Sequence, residues 1–403
     1  MALLPVDEAL SRVLEDAKPG PTEIVSLAAA GGRVLAEDVV AARDQPPFPA
    51  SAMDGYAVRA ADICNIPARL KMIGEAAAGR RFSGEVRSGE AVRIFTGAPL
   101  PKGADTVLIQ ENARRHEDGT IEVLDATDRG RHIRRAGLDF ARGKTVLSAG
   151  RELDAAALSL AASANQPTLR VHPTPLVAIL ATGDELVPVG AEPGPDQIVS
   201  SNGFGIAEIV RRAGGLALDL GIAPDREHAI ADALQSAQRA GAAVIVTIGG
   251  ASVGDHDLVH KVLTAEGVEL GFWKIAMRPG KPLMFGRLGS ARVLGLPGNP
   301  VSALVCAHLF LAPLVAKLAG RPAVDRHRDM KLAVDMESNG ERQDYVRSRA
   351  ERYGDDWIAT PLKIQDSSML SALAASDVLI VRPPNAPAAK AGDICRVIQL
   401  REI

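Results

Sequence analysis

From Pro175 onward, short apolar runs alternate with amphipathic ones, and this rhythm constrains the fold more tightly than any other feature of the chain. PLVAILATG, LALDLGIAPD and AAVIVTIGG read as strands. SNGFGIAEIVRRAGG and REHAIADALQSAQRAG read as helices, the first started by Ser201 or Asn202 and stopped by glycines. DLVHKVLTAEG, VELGFWKIAM, PLMFGRLG, ARVLGLPG and a helix from Pro300 carry the alternation on. The pattern predicts a parallel sheet covered on both faces, a three-layer α/β/α domain of about 145 residues. Ligands of such sheets bind beyond the carboxyl ends of the strands.

The flanks follow other rules. Val6 to Ala17 has helical periodicity and stops at Lys18-Pro19-Gly20-Pro21. In QPPFPASAMDGYAV, three prolines within four positions predict an irregular loop that excludes helix and ladder alike. Residues 59–147 are rich in Gly, Val and Ile with a turn signal every ten or so positions, the pattern of a β-rich domain. Leu153 to Ala164 reads as helix, and His172-Pro173-Thr174-Pro175 as a linker. After Gly320-Arg321-Pro322, the runs KLAVDM, RQDYVRSRAE, DWIATPLK, VLIVRP and CRVIQL predict a small β-barrel or sandwich.

Bulk properties exclude several classes. With 46 basic against 49 acidic residues, the net charge of -3 argues against a general nucleic-acid binder. Cys64, Cys306 and Cys395 are far apart and odd in number, as expected of a reducing cytosol rather than a disulfide framework. The N-terminus carries acidic residues early and reads as no signal peptide. Val301 to Leu318 is interrupted by His308, Pro313 and Lys317 and is expected to be a buried amphipathic helix rather than a membrane span.

Three segments of the α/β region end a strand and open a helix with small or polar residues: 181–186 (ATGDEL), 249–255 (GGASVGD) and 296–302 (LPGNPVS). In the second, glycines let the backbone turn its N–H groups inward, forming a concavity suited to oxyanions. In the third, Asn299 is placed to cap while Pro300 sits first in the helix, leaving N–H groups and the Ser302 hydroxyl at a positive helix end. Between them, Arg278-Pro279-Gly280-Lys281-Pro282 presents two cations on a stiff turn. Asp184, Glu185, Asp255 and Asp257 lie near the same edge, and hard carboxylates beside phosphates suit Mg²⁺. Asp255 serves equally well as a helix cap.

SAMDGYAV (51–58), RIFTGAPLP (93–101), TGDEL (182–186), SSNG (200–203), GGASVGDHD (249–257), RPGKP (278–282) and LPGNPVSAL (296–304) together resemble the MoeA-type molybdenum insertases, with the E domains of gephyrin and the plant insertase. The resemblance runs from about residue 5 to the C-terminus, and implies four domains. Residues 1–21, 40–47 and 142–173 would form a discontinuous linking domain, and 22–39 with 48–141 the β-rich domain. Residues 174–321 would be the molybdopterin-binding-like α/β/α domain, and 322–403 a C-terminal β-barrel. It further implies a cytoplasmic homodimer with an intersubunit active site, without membrane or nucleic-acid partners.

The implied activity is transfer of molybdate to adenylylated molybdopterin, delivered by an adenylyltransferase, giving molybdenum cofactor and AMP. Asp54 and Thr96 would come from one subunit, and Glu185, Asp225 and Asp257 from the other, with Glu185 and Asp257 holding Mg²⁺. Asp54 would position either the nucleophile or the metal; on its own it reads as the first residue of an Asp-Gly turn. Gly250, Ser252, Gly254, Asp255, Arg278, Lys281, Pro297, Gly298, Asn299, Pro300 and Ser302 would surround the substrates. Arg342 or Arg347, and Ser368 or Ser371, would reach in from the C-terminal domain. Arg278 stands where the family usually has Lys, and Leu138 where an acidic residue is usual. Two other readings fit parts of the pattern: a molybdopterin adenylyltransferase, whose whole fold the α/β domain resembles, and a non-catalytic gephyrin-like scaffold.

Overall fold

The structure, a computed structural model, describes residues 3–250 and 258–403. The chain divides into two compact units, one of residues 24–31 and 35–170, the other of residues 1–23, 32–34 and 171–403.

The smaller unit is built on strands β1 (Gly55–Val58), β2 (Ala68–Ala76), β3 (Glu90–Ile94), β4 (Thr106–Ile109), β5 (Ala113–Arg115) and β6 (Thr120–Val123), in the order β4-β1-β3-β2-β6-β5. Only β2 and β3 run parallel. Successive side chains of a strand point to opposite faces. Tyr56 and Val58 accordingly pack with Leu70, Leu108 and Ile121, whereas Ala57 packs with Val92, Ile94 and Val107. The loop expected over 45–58 is shorter than the prolines imply. Ala50–Ser51 already pairs with Ile133–Arg134, and β1 starts six residues after Pro49, since proline blocks ladder bonds only at its own position. Leu153 to Ala164 is helical over Ala155–Ser163, with the Asp154 side chain capping the Ala157 N–H.

The larger unit carries β7 (Leu176–Thr182), β8 (Leu216–Ala223), β9 (Val244–Ile248), β10 (Glu269–Trp273), β11 (Met277–Arg278), β12 (Met284–Leu288) and β13 (Ala291–Leu296). Its main sheet has the order β8-β7-β9-β13-β12-β10. The first four strands are parallel, but β12 runs antiparallel to β13 and β10 pairs antiparallel with β12, which corrects the expectation of a purely parallel sheet. The cause is local. Only Gly289 and Ser290 separate β12 from β13, and a two-residue link closes an antiparallel hairpin, never a parallel crossover.

Helices Asn202–Arg212 and Pro300–Leu318 cover one face together with Val6–Leu14, and Glu227–Arg239 and Leu258–Ala265 cover the other. Alternate residues of β7 feed the two layers, Val177 and Ile179 into one, Ala178 and Leu180 into the other. The Pro300–Leu318 helix is long and apolar enough to cross a membrane by composition, but Val301, Val305, Phe310 and Leu314 are buried in this core. It relaxes into a π turn over Ala307–Leu311, just before Pro313 removes a backbone donor.

The C-terminal strands are β14 (His327–Leu332), β15 (Gln343–Tyr353), β16 (Asp356–Pro361), β17 (Val378–Arg382) and β18 (Ile394–Gln399). They close as β15-β16-β14-β18-β17 and back to β15, so the barrel alternative holds. The strand expected at KLAVDM begins earlier, at His327. β11 adds to the outside of this ring, pairing Met277 with Gln343 and Arg278 with Asp344.

Candidate active site

β7, β9 and β13 are neighbours in register, with Ala181 opposite Ile248 and Ile248 opposite Leu296. Their following loops therefore leave one sheet edge side by side. They line a cavity of 920 Å³ with Thr182, Gly183, Gly249, Gly250, Pro297, Gly298, Asn299 and Pro300. Close approach explains the glycines. A Cβ on Gly249, whose φ is 94°, would lie 2.7 Å from the Thr182 carbonyl oxygen, and one on Gly250 would lie 2.1 Å from Val259 Cγ2. Ser252, Gly254, Asp255 and Asp257 lie outside the described residues.

Glu185 and Asp225 form an acidic wall of this cavity, and Ser200, Ser201 and Asn202 another stretch of it. Asp184 Oδ1 accepts the Asp225 N–H at 3.1 Å. Burial raises the Asp225 carboxyl above its ordinary value, and the charges of Asp184 and Glu185 push the same way. Like carboxylates gathered at one edge make a hard oxygen donor set of the kind a divalent cation compensates. Among the described residues, no group of three or more His, Cys, Asp or Glu is arranged to hold a metal by itself.

The cations are distributed differently from the sequence pattern. Of the 278–282 turn, only Pro282 lines the cavity. Arg278 is ion-paired with the buried Asp344, which raises its pKa further. Lys281 is half-buried, and Ser302 is buried in the first turn of the helix. Arg347 is 1% exposed. Its Nη1 donates to the Tyr345 carbonyl at 3.1 Å, while Nε and Nη2 have no partner among the described residues. Burial lowers its pKa, opposed by Asp344 and Asp366 and assisted by Arg278. Arg342 is half-buried and lies outside the lining, as does the exposed Ser371, whereas Ser368 lines the cavity.

Two expected caps are absent. Neither Ser201 nor Asn299 caps its helix through its side chain. Asn202 Nδ2 donates to the Gly298 carbonyl at 2.8 Å, and Asn299 Nδ2 to Ser367 Oγ at 3.1 Å. Asn202 and Ser367 are not legible as site residues from sequence, because their partners lie far away along the chain.

In the smaller unit, Asp54 Oδ1 accepts the Thr96 N–H at 2.7 Å and the Thr96 hydroxyl at 2.8 Å. These two bonds hold its carboxyl below the ordinary range, with Arg93 adding to the effect. The following glycine is fixed by packing: a Cβ on Gly55 would lie 2.0 Å from the Leu108 carbonyl oxygen. A second cavity, of 600 Å³, is lined by residues 45–48 with Gly97, Arg134, Leu138 and Asp139.

Three family descriptions match the chain. "MoeA N-terminal region (domain I and II)" covers residues 4–165, "Probable molybdopterin binding domain" 178–317 and "MoeA C-terminal region (domain IV)" 329–400. A molybdopterin molybdenumtransferase of Haemophilus influenzae is 41% identical over 79% of this chain and 78% of its own. One of Bacillus subtilis is 30% identical over 99% and 94%. The molybdopterin biosynthesis MoeA protein of Pyrococcus horikoshii superposes with a TM-score of 0.83 at 29% identity, over 100% of both chains.

Proposed function

The chain belongs to the MoeA family of molybdopterin molybdenumtransferases, transferases of molybdenum cofactor biosynthesis, and on that premise we propose that it transfers molybdate to adenylylated molybdopterin, releasing AMP. The observation that carries this reading is the convergence of the Gly249–Gly250 and Pro297–Pro300 loops on one cavity with an acidic wall. Backbone N–H groups at such a sheet edge donate to phosphate-like oxyanions, and the carboxylates require a cation between them and the same phosphates.

Molybdate is a tetrahedral dianion, best held by hydroxyls, N–H groups and cations. In this reading Ser252, Lys281, Arg278 and Ser302 hold it, although Lys281, Arg278 and Ser302 stand outside the lining and Arg278 is engaged by Asp344, so molybdate would have to draw them in. Of the two C-terminal arginines, Arg347 is the better supported, because a buried guanidinium with two nitrogens unpartnered among the described residues would be stabilised by an anion. Ser368 is favoured over Ser371 by its place in the lining. Glu185 and Asp257 would hold Mg²⁺, with Asp225 alongside. Bound there, the ion would supply charge neutralisation on the phosphate oxygens as the phosphoanhydride breaks.

Asp54, kept ionised by Thr96, would position the nucleophile or the metal. The reading includes the four-domain partition, a cytoplasmic homodimer in which Asp54 and Thr96 serve the partner's site, and a delivering adenylyltransferase. The decisive experiment is AMP release from adenylylated molybdopterin with and without molybdate, using the purified full chain. Molybdate-dependent release is expected. Release that ignores molybdate rejects the assignment.

A further inference from the structure

The Pro300–Cys306 helix begins with two bonds to a single residue of the barrel region. Asn299 Nδ2 donates to Ser367 Oγ at 3.1 Å, and the Val301 N–H donates to the Ser367 carbonyl, also at 3.1 Å. The residues around Ser367 are tied just as closely. The Gln365 side chain pairs with the Arg347 backbone in both directions, Oε1 accepting its N–H and Nε2 donating to its carbonyl, each at 2.9 Å. Asp366 Oδ1 accepts the Ser368 N–H at 2.8 Å and its hydroxyl at 2.6 Å. Three consecutive residues, 365–367, thus bridge the buried Arg347, the cavity-lining Ser368 and the 297–300 loop. On its far side that loop is held by Asn202 through the Gly298 carbonyl.

We infer that Ser367, with Gln365, is a positioning residue: it seats segment 365–368 against Asn299, and so fixes where Arg347 and Ser368 stand relative to the oxyanion loop. The inference rests on the proposed molybdate transfer for its functional side, though the tie itself is a matter of geometry. Neither residue lines the cavity. Their effect passes through neighbours whose placement, by an ångström or less, governs how well an oxyanion is held. An alanine at position 367 would leave Asn299 Nδ2 without its acceptor while keeping the backbone bond to Val301, so the helix start survives and the side-chain tie alone is lost.

The test is a double-mutant cycle on the full chain. Ser367→Ala should raise the KM for molybdate about tenfold with kcat changed far less, and Asn299→Ala, which also removes a cavity-lining side chain, at least as much. The double variant should be no worse than Asn299→Ala alone, and Ser367→Thr, which keeps the hydroxyl, should restore the parent KM. Thermal melting within a degree or two of the parent excludes a folding defect. Amide exchange at Ser368 reads the tie without catalysis and should quicken in both single variants. Additive effects, an unchanged KM, or unchanged exchange at Ser368 would overturn the inference. A parent enzyme whose AMP release ignores molybdate, together with the expected gain in exchange, would reject the functional reading and leave the structural tie standing.

Discussion

One oxygen of Asp54 accepts both donors of Thr96, the N–H at 2.7 Å and the hydroxyl at 2.8 Å. A depressed carboxyl pKa means the charged form persists into acid and is lost only as pH falls through that lowered value. Thr96→Val deletes the hydroxyl bond and keeps the N–H. The acid limb of the pH–rate profile for AMP release should therefore move up, towards the ordinary carboxylate range. Asp54→Asn should lower kcat by about a hundredfold. An acid limb indifferent to Thr96→Val would show that Asp54 ionisation is not what the rate reports.

Arg347 is buried with two of its nitrogens unpartnered among the described residues. An incompletely paired buried charge is often neutral or destabilising relative to an apolar side chain of similar volume, by about 1–4 kcal/mol. Arg347→Met should therefore melt at or above the parent temperature without ligand. Molybdate should raise the melting point of the parent and leave that of the variant unmoved. Severe destabilisation of Arg347→Met would mean the guanidinium is a structural strut.

The acidic wall carries a converse expectation. Burial and the neighbouring Asp184 and Glu185 charges raise the Asp225 carboxyl, so the fold penalises its charge relative to the unfolded chain. Asp225→Asn should be as stable as the parent or more so at neutral pH without divalent ions. Any Mg²⁺-induced rise in melting temperature seen in the parent should shrink in this variant. An equal Mg²⁺ response in both would place the ion elsewhere.

His308 titrates near pH 4, pushed down by burial and then by Arg326 and Arg212. In the unfolded chain it titrates near its ordinary value of 6.5. Between these values the unfolded state binds a proton that the folded state refuses, so stability falls as pH drops from 6.5 towards 4 and levels off below. The full effect is up to about 3 kcal/mol, since each tenfold loss of proton affinity on folding corresponds to roughly 1.4 kcal/mol. His308→Leu should flatten this part of the stability profile, as followed by denaturant midpoints. A variant with the parent's pH slope would assign that slope to other groups.

Much of this architecture could be read from the sequence because a sheet buried on both faces writes long apolar runs such as LVAILAT and VIVTI, and its loops must follow them. The placement of the 182, 249 and 297 turns on one edge follows from that alone. Other features have no local signature. The antiparallel edge depends on a two-residue link that reads like any other glycine turn. Arg278 looks free in RPGKP, yet its partner Asp344 lies 66 residues further along the chain. Asn299 has the position of a cap, but its Nδ2 donates to Ser367 Oγ, and the Val301 N–H it was placed to accept donates to the Ser367 carbonyl instead. Spacing reveals which residues share a face; it does not reveal which long-range donor reaches an acceptor first.

The pairing of β11 with β15 also bears on how such chains can be recombined. Met277 and Arg278 belong to the α/β layer by sequence, but their ladder bonds belong to the barrel. A chimera joined at residue 321 would bring in a foreign barrel with its own residue opposite Arg278, leaving either an unmatched cation or a mismatched ladder at the seam. Successful grafts between relatives should therefore carry the 277–282 turn along with the barrel, so the heritable module ends inside the α/β sequence rather than at the Gly320-Arg321-Pro322 connection after it.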